Sequence, residues 1–307
     1  INFNLLILSI YIFCLVIFCL IYWTLAINSK TPILTKLALL TTPATFQFIG
    51  FNSPRTSELI WLILFGLWCL LFKKYKNYNY FYSALSGIIV SLSALTYEGS
   101  LIIISPIIFL SLALDSSKKS NKIKLINILI FLIPILVTTF LLFKHGNFEA
   151  GSEVIREILN KTSPNITDSL SEVIANNLIQ TNINRIENNN LNWFSNNVIF
   201  ILYFTTYLIA ILKEIKKGDF KNYLLIFSSF SSILLCFVAV DFSRYIALSI
   251  LVSSMILFLI KNEDNWRNSN IWIFLLLFGV MGPVVCAGMI NPFPLWKLIN
   301  DFLFIGI

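Results

Sequence analysis

The sequence predicts an all-α fold, a polytopic bundle of about nine transmembrane helices, and three observations lead to this prediction. Of the 307 residues, 57% are hydrophobic and only 12% are charged, whereas soluble domains have about 45–50% and ~25%. Apolar runs of about 20 residues, the length that crosses ~30 Å of hydrocarbon, recur along the chain. The basic residues are concentrated between these runs. This composition excludes a soluble enzyme, a secreted disulfide scaffold, a disordered chain and a nucleic-acid-binding protein.

The apolar runs form one integral membrane domain, residues 1–307. The first run is longer than a signal-peptide core and lacks a cleavage site, so we expect it to remain as a helix. Residues 33–51 contain Lys36 and Pro43, and this segment is re-entrant, interfacial or a tenth span. The C-terminal segment 290–307 is expected to be an interfacial tail. The nine predicted spans are 4–27, 57–72, 79–97, 100–114, 123–143, 193–212, 222–240, 245–260 and 271–289.

The distribution of lysine and arginine predicts the orientation. Four short loops, 73–78, 115–124, 213–221 and 261–270, hold 13 of the 22 basic residues. Positively charged loops stay in the cytoplasm, and an even number of predicted spans separates each of these loops from the next. The chain is therefore expected in a bacterial inner membrane with these loops inside. The other connections, including residues 28–57 and a loop of about 49 residues at 144–192, lie outside. If 33–51 crosses, only the side of the N-terminus changes.

Five charged residues border the apolar runs on the predicted outer side, where charges at membrane depth are costly and often functional. Glu98 stands between two spans, Arg55 and Glu58 share one face at the start of a helix, and Asp241 and Arg244 repeat this spacing. Solvated turns, helix caps and arginines at lipid phosphates would explain each feature separately. If they converge, Glu98 and Asp241 are candidate catalytic carboxylates, and Arg55, Glu58 and Arg244 are candidate substrate-binding residues.

Cofactor and metal chemistry find no support in the sequence. The chain has a single histidine, His145, and its cysteines lie inside apolar runs without any C-x-x-C pair. A zinc site or a Ser-His-Asp triad is therefore not expected. Nucleotide-binding glycine motifs are absent as well. We accordingly predict no metal and no cofactor.

Three short motifs carry a family resemblance. The chain has P-R-T-S-E at 54–58, Y-E-G-S with I-S-P across 97–106, and D-F-S-R-Y-I at 241–246, around a large outer loop. It thus resembles the bacterial O-antigen polymerase and EpsG-like proteins of envelope polysaccharide assembly. The resemblance implies polymerisation or transfer of polyprenyl-diphosphate-linked glycans at the outer face, with membrane lipid, a lipid-linked glycan and envelope-assembly proteins as partners. Arg55 and Arg244 would hold the diphosphate or sugar chain, and Glu98 and Asp241 would act as base or orienting carboxylates.

Three alternatives remain open. A multi-span glycosyltransferase for lipid-linked sugars would have acidic residues in its first outer loop, but residues 28–57 have none. A transporter or flippase would have broken helices at matching positions in two repeats, and in the sequence only the region 97–106 resembles such a break. A non-catalytic membrane subunit would use the outer loop as a docking surface.

Overall fold

The computed structural model describes residues 3–42, 44–45, 56–75, 79–114, 121–145, 190–215, 220–237, 242–260, 270–281, 284–286 and 289–291. These residues are almost entirely helical, which confirms the predicted all-α class. In chain order the elements are α1 Phe3–Ile27, α2 Ile33–Leu40, α3 Thr56–Tyr75, α4 Asn79–Thr96, α5 Ser100–Ala113, α6 Asn121–His145, α7 Asn190–Glu214, α8 Phe220–Ser228, a 3-10 helix Ser231–Phe237, α9 Phe242–Ile260, α10 Asn270–Met281, and strands β1 Val284–Cys286 and β2 Met289–Asn291.

Within this part of the chain, two stretches are long and apolar enough to cross a membrane by themselves, Leu8–Ile27 in α1 and Asn121–Lys144 in α6. The other apolar helices are shorter. The large loop predicted at 144–192 is shorter at both edges, because α6 continues to His145 and α7 already begins at Asn190. Residues 146–189 lie outside the described residues.

The predicted span 222–240 is interrupted. Helix α8 ends at Ser228, and a 3-10 helix begins at Ser231 after a turn. The hydroxyls of Ser228 and Ser229 bond to backbone carbonyls three residues earlier, and Ser231 donates to the carbonyl of Ile103 in α5 at 3.1 Å. Serine hydroxyls compete with the backbone in this way and disfavour a regular helix.

The predicted span 271–289 is also shorter than expected. Helix α10 ends at Met281, and a small antiparallel hairpin follows, in which Val284 pairs with Asn291. The two residues between α10 and β1 in the sequence are Gly282 and Pro283, a combination that stops a helix.

Helix α9 is the centre of the bundle. Every residue from 247 to 259 is buried, as expected for a helix that is apolar on all sides. Its serines bond to neighbouring elements: Ser249 to Ser232 of the 3-10 helix, and Ser253 and Ser254 to the hydroxyl of Tyr207 in α7 at 2.7 and 2.8 Å. Polar side chains that join helices in this way add specificity to an apolar core.

Helices α3 and α9 run in the same direction. Glu58 and Arg244, in their first turns, form an ion pair. Further along, a Cβ atom on Gly66 would lie 4.0 Å from the Cε atom of Met255. Two contacts in the same order along both helices require parallel axes.

Helix α1 runs the same way as α3 and α9. Its Ile21 packs against Gly66, and the ring of Tyr22 lies 5.8 Å from that of Phe258, near the end of α9. Tyr11 and Cys14, in the earlier half of α1, are also buried. Helix α9 ends only about 8 Å beyond Met255, at a rise of 1.5 Å per residue, so little of α9 remains on that side to cover them. The earlier half of α1 must therefore pack toward the starts of α3 and α9.

This direction places the turn 28–32 at the end of the bundle opposite to Arg244. The sequence predicts 28–57 on the side of Glu98 unless residues 33–51 cross the membrane. Helix α2 returns from this turn: the hydroxyl of Tyr22 donates to the carbonyl of Leu39 at 2.9 Å, and the backbone of Thr41 packs directly against Gly279 of α10.

We expect Gly87→Ala to destabilise the bundle by about 1–3 kcal/mol, because overpacking against backbone cannot relax easily. A Cβ at this site would lie 2.5 Å from the carbonyl oxygen of Phe131 and 2.6 Å from Pro134. The measurement is the thermal unfolding midpoint in detergent. Gly66→Ala is the matched control, since its Cβ would meet mainly one methyl group of Ile21. Equal losses for both variants would contradict close backbone packing of α4 on α6.

Candidate functional site

The central feature of the site is an ion pair between Glu58 and Arg244. Glu58 is the third residue of α3 and Arg244 the third residue of α9. The side chain of Glu58 is 1% exposed, while that of Arg244 is 24% exposed. The carboxylate is therefore enclosed, whereas the arginine side chain is partly exposed. We call this end of the bundle, where α3 and α9 begin and α4 ends, the Arg244 end.

Helix dipoles explain why the pair is placed here. A carboxylate in the first turn of a helix is stabilised by the positive end of the dipole, which favours Glu58 in α3. An arginine in the first turn is disfavoured for the same reason, so Arg244 depends on a nearby anion. Removing one partner from a buried pair leaves an uncompensated charge and is strongly destabilising. The pair thus joins the beginnings of two helices that are distant in sequence.

Two tyrosine rings lie close to the guanidinium of Arg244. The guanidinium carbon lies 5.3 Å from the ring centroid of Tyr97 and 5.8 Å from that of Tyr245. Both distances are within the range of cation–π attraction. The hydroxyl of Tyr97 donates to the hydroxyl of Tyr245 at 3.3 Å. Arg244 is therefore held by one carboxylate and by two aromatic rings from different elements.

The turn between α4 and α5 positions Tyr97. A Cβ atom on Gly99 would lie 2.6 Å from Cε1 and 2.8 Å from the hydroxyl oxygen of Tyr97. The Tyr97 ring therefore occupies the space that a side chain at residue 99 would need. This explains the glycine of the Y-E-G sequence by close packing of an aromatic ring.

The structure brings two of the five predicted site residues together, Glu58 and Arg244. Glu98 lies at the same end of the bundle, but its side chain is exposed in the turn after α4. Its neighbour Tyr97 makes the contact with Arg244 instead. Arg55 and Asp241 lie outside the described residues, so their predicted roles stay predictions.

Tyr97 and Tyr245 were not predicted as site residues. In the sequence, Tyr97 belongs to the region 97–106, which resembles a helix break, and Tyr245 belongs to the D-F-S-R-Y-I motif. Each of them adjoins a residue that had been selected, since Tyr97 precedes Glu98 and Tyr245 follows Arg244. Aromatic residues beside a charged residue at a helix end were the available signal.

Among the described residues, no group of three or more histidine, cysteine, aspartate or glutamate side chains is arranged to hold a metal ion. Comparisons of the chain with protein-family models, with curated proteins and with solved structures find no match.

The arrangement is suited to binding an oxyanion at the surface. Arginine presents five N–H donors in a planar fork whose geometry matches carboxylate and phosphate oxygens. Charge-assisted bonds from arginine to phosphate oxygens are strong and directional. Because Glu58 and both rings restrict the side chain, Arg244 would lose little conformational freedom on binding.

A double-mutant cycle tests the ion pair. We expect Glu58→Gln and Arg244→Gln each to destabilise the protein by about 2–3 kcal/mol, because each leaves the partner's charge uncompensated. The double variant should be more stable than the sum of both losses predicts, with a coupling energy of about 1–3 kcal/mol. Chemical unfolding in detergent is the measurement.

Glu98→Gln is the matched control for this cycle, since it removes an exposed carboxylate at the same end. It should change stability by less than about 0.5 kcal/mol. Additive losses for Glu58→Gln and Arg244→Gln would show that the two residues are not coupled.

Proposed function

We propose that the chain is an integral protein of a bacterial inner membrane that polymerises or transfers polyprenyl-diphosphate-linked glycans at the outer face. The observation that carries this proposal is the Arg244 end itself: a partly exposed arginine that pairs with a buried carboxylate and contacts two tyrosines. This is the chemistry that a diphosphate requires.

The exposed surface of the helices supports a membrane setting. Along α6, residues Leu125, Leu129, Ile133, Leu136 and Phe140 are all exposed. In water, such a continuous apolar face would be unfavourable, and large exposed apolar patches mark contact with lipid or another protein. Surrounded by acyl chains, the same face has no hydration cost.

The positions of the basic loops support the orientation. Helices α3, α5 and α9 all begin at the Arg244 end, and the loops that follow them, 73–78, 115–124 and 261–270, together hold nine of the 22 basic residues. By the positive-inside rule these loops are cytoplasmic, and the Arg244 end then faces outward. A lipid-linked donor would meet Arg244 at the outer leaflet.

The proposed reaction is a glycosyl transfer without a cofactor. A carboxylate, Glu98 or Asp241, takes the proton from an acceptor hydroxyl as that oxygen forms a bond to the anomeric carbon of the donor sugar. The bond between this carbon and the lipid diphosphate breaks, and the diphosphate leaves with the electron pair. Arg244, together with Arg55, stabilises the negative charge that develops on the diphosphate.

Transport is the second candidate function, and one observation favours it. Helix α2 ends at Leu40 with its backbone packed against α10, and α8 is interrupted before the 3-10 helix. Within a bilayer, interrupted helices occur where the backbone is buried or lines a cavity, and they mark binding sites in transporters. A flippase for lipid-linked glycans would use the same substrate, and a non-catalytic subunit would need neither activity.

We expect the purified protein in nanodiscs to bind farnesyl diphosphate, a short prenyl diphosphate, and to bind farnesyl monophosphate at least tenfold more weakly. Isothermal titration calorimetry measures both affinities. Arg244→Gln should weaken diphosphate binding about tenfold or more, since one charge-assisted contact contributes about 1.5–3 kcal/mol. Lys122→Gln, an exposed cation at the opposite end, is the matched control and should bind like wild type.

Wild-type protein that does not bind farnesyl diphosphate would contradict the proposal. Polymerase and flippase activities are then separated with a polyprenyl-diphosphate-linked sugar in proteoliposomes. Longer glycan products support transfer, whereas movement of an unchanged substrate between leaflets supports transport.

The topology gives a second prediction. In a cysteine-free background, single cysteines at Asn28 and Asn270 should react with a membrane-impermeant maleimide from the same side, and a cysteine at Glu98 from the other side. The reason is that α1, α3 and α9 are parallel, so we expect the chain to make a tenth crossing between the turn 28–32 and the start of α3. Labelling in sealed cells and in inverted vesicles measures this. Asn28 reacting on the side of Glu98 would contradict the tenth crossing.

A further inference from the structure

Helix α2 ends inside the bundle. It has only eight residues, Ile33–Leu40, which extend about 12 Å at 1.5 Å per residue. Residue 43 is a proline, which has no N–H for the carbonyl of Leu39 and disfavours helical geometry in the residue before it. The chain after α2 is still buried, since Thr42 and Thr45 are 0% and 8% exposed. The end of α2 therefore brings backbone and threonine oxygens into the apolar core.

Hydrogen bonds engage these oxygens only in part. The hydroxyls of Thr42 and Thr45 bond to each other at 3.0 Å, and the carbonyl of Leu39 accepts from the hydroxyl of Tyr22 at 2.9 Å. Carbonyl and hydroxyl oxygens each have two lone pairs, so they can accept from or bind more than one partner. Within a bilayer, an interrupted backbone is tolerated only where it is buried in protein or lines a cavity.

Tyr203 of α7 has a buried hydroxyl that needs a partner. Its side chain is 1% exposed, and the hydroxyl makes no hydrogen bond within the described part of the chain. A buried polar group without a partner is costly, and most such groups in proteins are paired. The hydroxyl of Tyr207, one turn further along α7, is by contrast bonded to Ser253 and Ser254.

Contacts on two sides place Tyr203 beside the end of α2. Its ring centroid lies 5.1 Å from that of Phe278 in α10. The next residue of α10, Gly279, packs directly against the carbonyl oxygen of Thr41. On the other side, Tyr22 bonds to α2, and its phenol is close enough to that of Tyr203 for an electrostatic interaction. The Tyr203 hydroxyl and the oxygens at the end of α2 therefore lie in one layer of the bundle.

The chemistry of this layer favours a small cation. The C-terminal end of a helix carries partial negative charge, and carbonyl and hydroxyl oxygens are ligands for hard cations. These oxygens are all neutral, whereas divalent cations are usually bound with carboxylates, so the set suits a monovalent ion. In broken membrane helices, unwound carbonyls and helix C-termini bind sodium in this way. Lys36 of α2 bonds instead to the carbonyl of Ile27, on the side of the turn 28–32.

We propose that Tyr203 and the end of α2 form a binding site for a sodium ion. The candidate ligands are the hydroxyls of Tyr203, Thr42 and Thr45 and the carbonyl of Leu39. The bound ion ties α2 to α7, two helices that are distant in sequence. The site uses other residues than the Arg244 end, and it goes beyond the proposed function without depending on it.

Sodium itself is the probe, and the measurement is the thermal unfolding midpoint of the purified protein in detergent. An ion that binds only the folded state raises this midpoint. Choline, which is too large for such a site, replaces sodium at constant ionic strength. With a Kd of about 1 mM, sodium chloride at about 150 mM should give a midpoint about 3–5 °C higher than choline chloride.

Conservative variants test the ligands. Tyr203→Phe removes only the hydroxyl and should reduce the sodium-dependent shift by about half, as expected for tenfold weaker binding. In choline chloride the same variant should be no less stable than wild type, because it removes a buried hydroxyl that has no partner. Thr45→Val should also reduce the shift. Tyr80→Phe and Thr205→Val, the same substitutions at exposed residues, should keep it in full.

A shift that is reduced in Tyr203→Phe and kept in Tyr80→Phe supports the sodium site. Equal midpoints of the wild type in both salts overturn it, and so does a full shift in Tyr203→Phe. If Tyr203→Phe lowers the midpoint equally in both salts, the hydroxyl binds a water molecule rather than sodium, which also overturns the proposal. None of these results depends on farnesyl diphosphate, so the sodium site and the proposed function fail separately.

Discussion

The buried ion pair between Glu58 and Arg244 is the constraint on which the arrangement of this end of the bundle depends. A carboxylate with 1% of its side chain exposed is tolerated in an apolar core only with a close cation. Because both residues lie in first turns, their pairing requires α3 and α9 to begin side by side. The turn 97–99 then packs on the same arginine through Tyr97. One interaction therefore brings three helix ends together.

The central helix α9 extends this constraint through the bundle. It is buried along its whole middle section, and its serines bond to the 3-10 helix and to Tyr207 of α7. Ser232 also donates to the backbone carbonyl of Tyr245 at 3.0 Å, so the interrupted span supports the residue that flanks Arg244. The site is thus connected to the core by α9 rather than by a loop.

Much of the fold can be predicted from the sequence, because apolar runs separated by short polar segments mark helices directly. The predicted spans 4–27 and 100–114 agree with α1 and α5 within one residue at each end. The break in 222–240 was missed because its four serines lie in an otherwise apolar run, and only their hydrogen bonds to neighbouring carbonyls reveal the turn. Gly282-Pro283 in the sequence also indicates the early end of α10. Spans assigned by hydropathy give these two residues little weight.

The site was predictable only in part. Charge at the borders of apolar runs selected Glu58 and Arg244, but spacing suggested pairing within each helix, Arg55 with Glu58 and Asp241 with Arg244. The observed pair joins two helices, and tertiary pairing of this kind leaves no local pattern. Tyr97 was predicted only as part of the region 97–106, because sequence spacing does not reveal that its ring contacts Arg244. Its position depends on Gly99, and that contact exists only in the folded turn.

The central claim, that α3 and α9 begin together at the Arg244 end, is tested most directly by distances between paired nitroxide labels. Double electron–electron resonance should give a short distance between labels at Thr56 and Phe242. The distance between labels at Phe72 and Phe242 should be about 10–15 Å longer, since 16 residues of helix at 1.5 Å each, about 24 Å along the axis, separate the two α3 sites. Similar distances for both pairs, or a longer one from Thr56, would contradict the parallel arrangement and the ion pair that it supports.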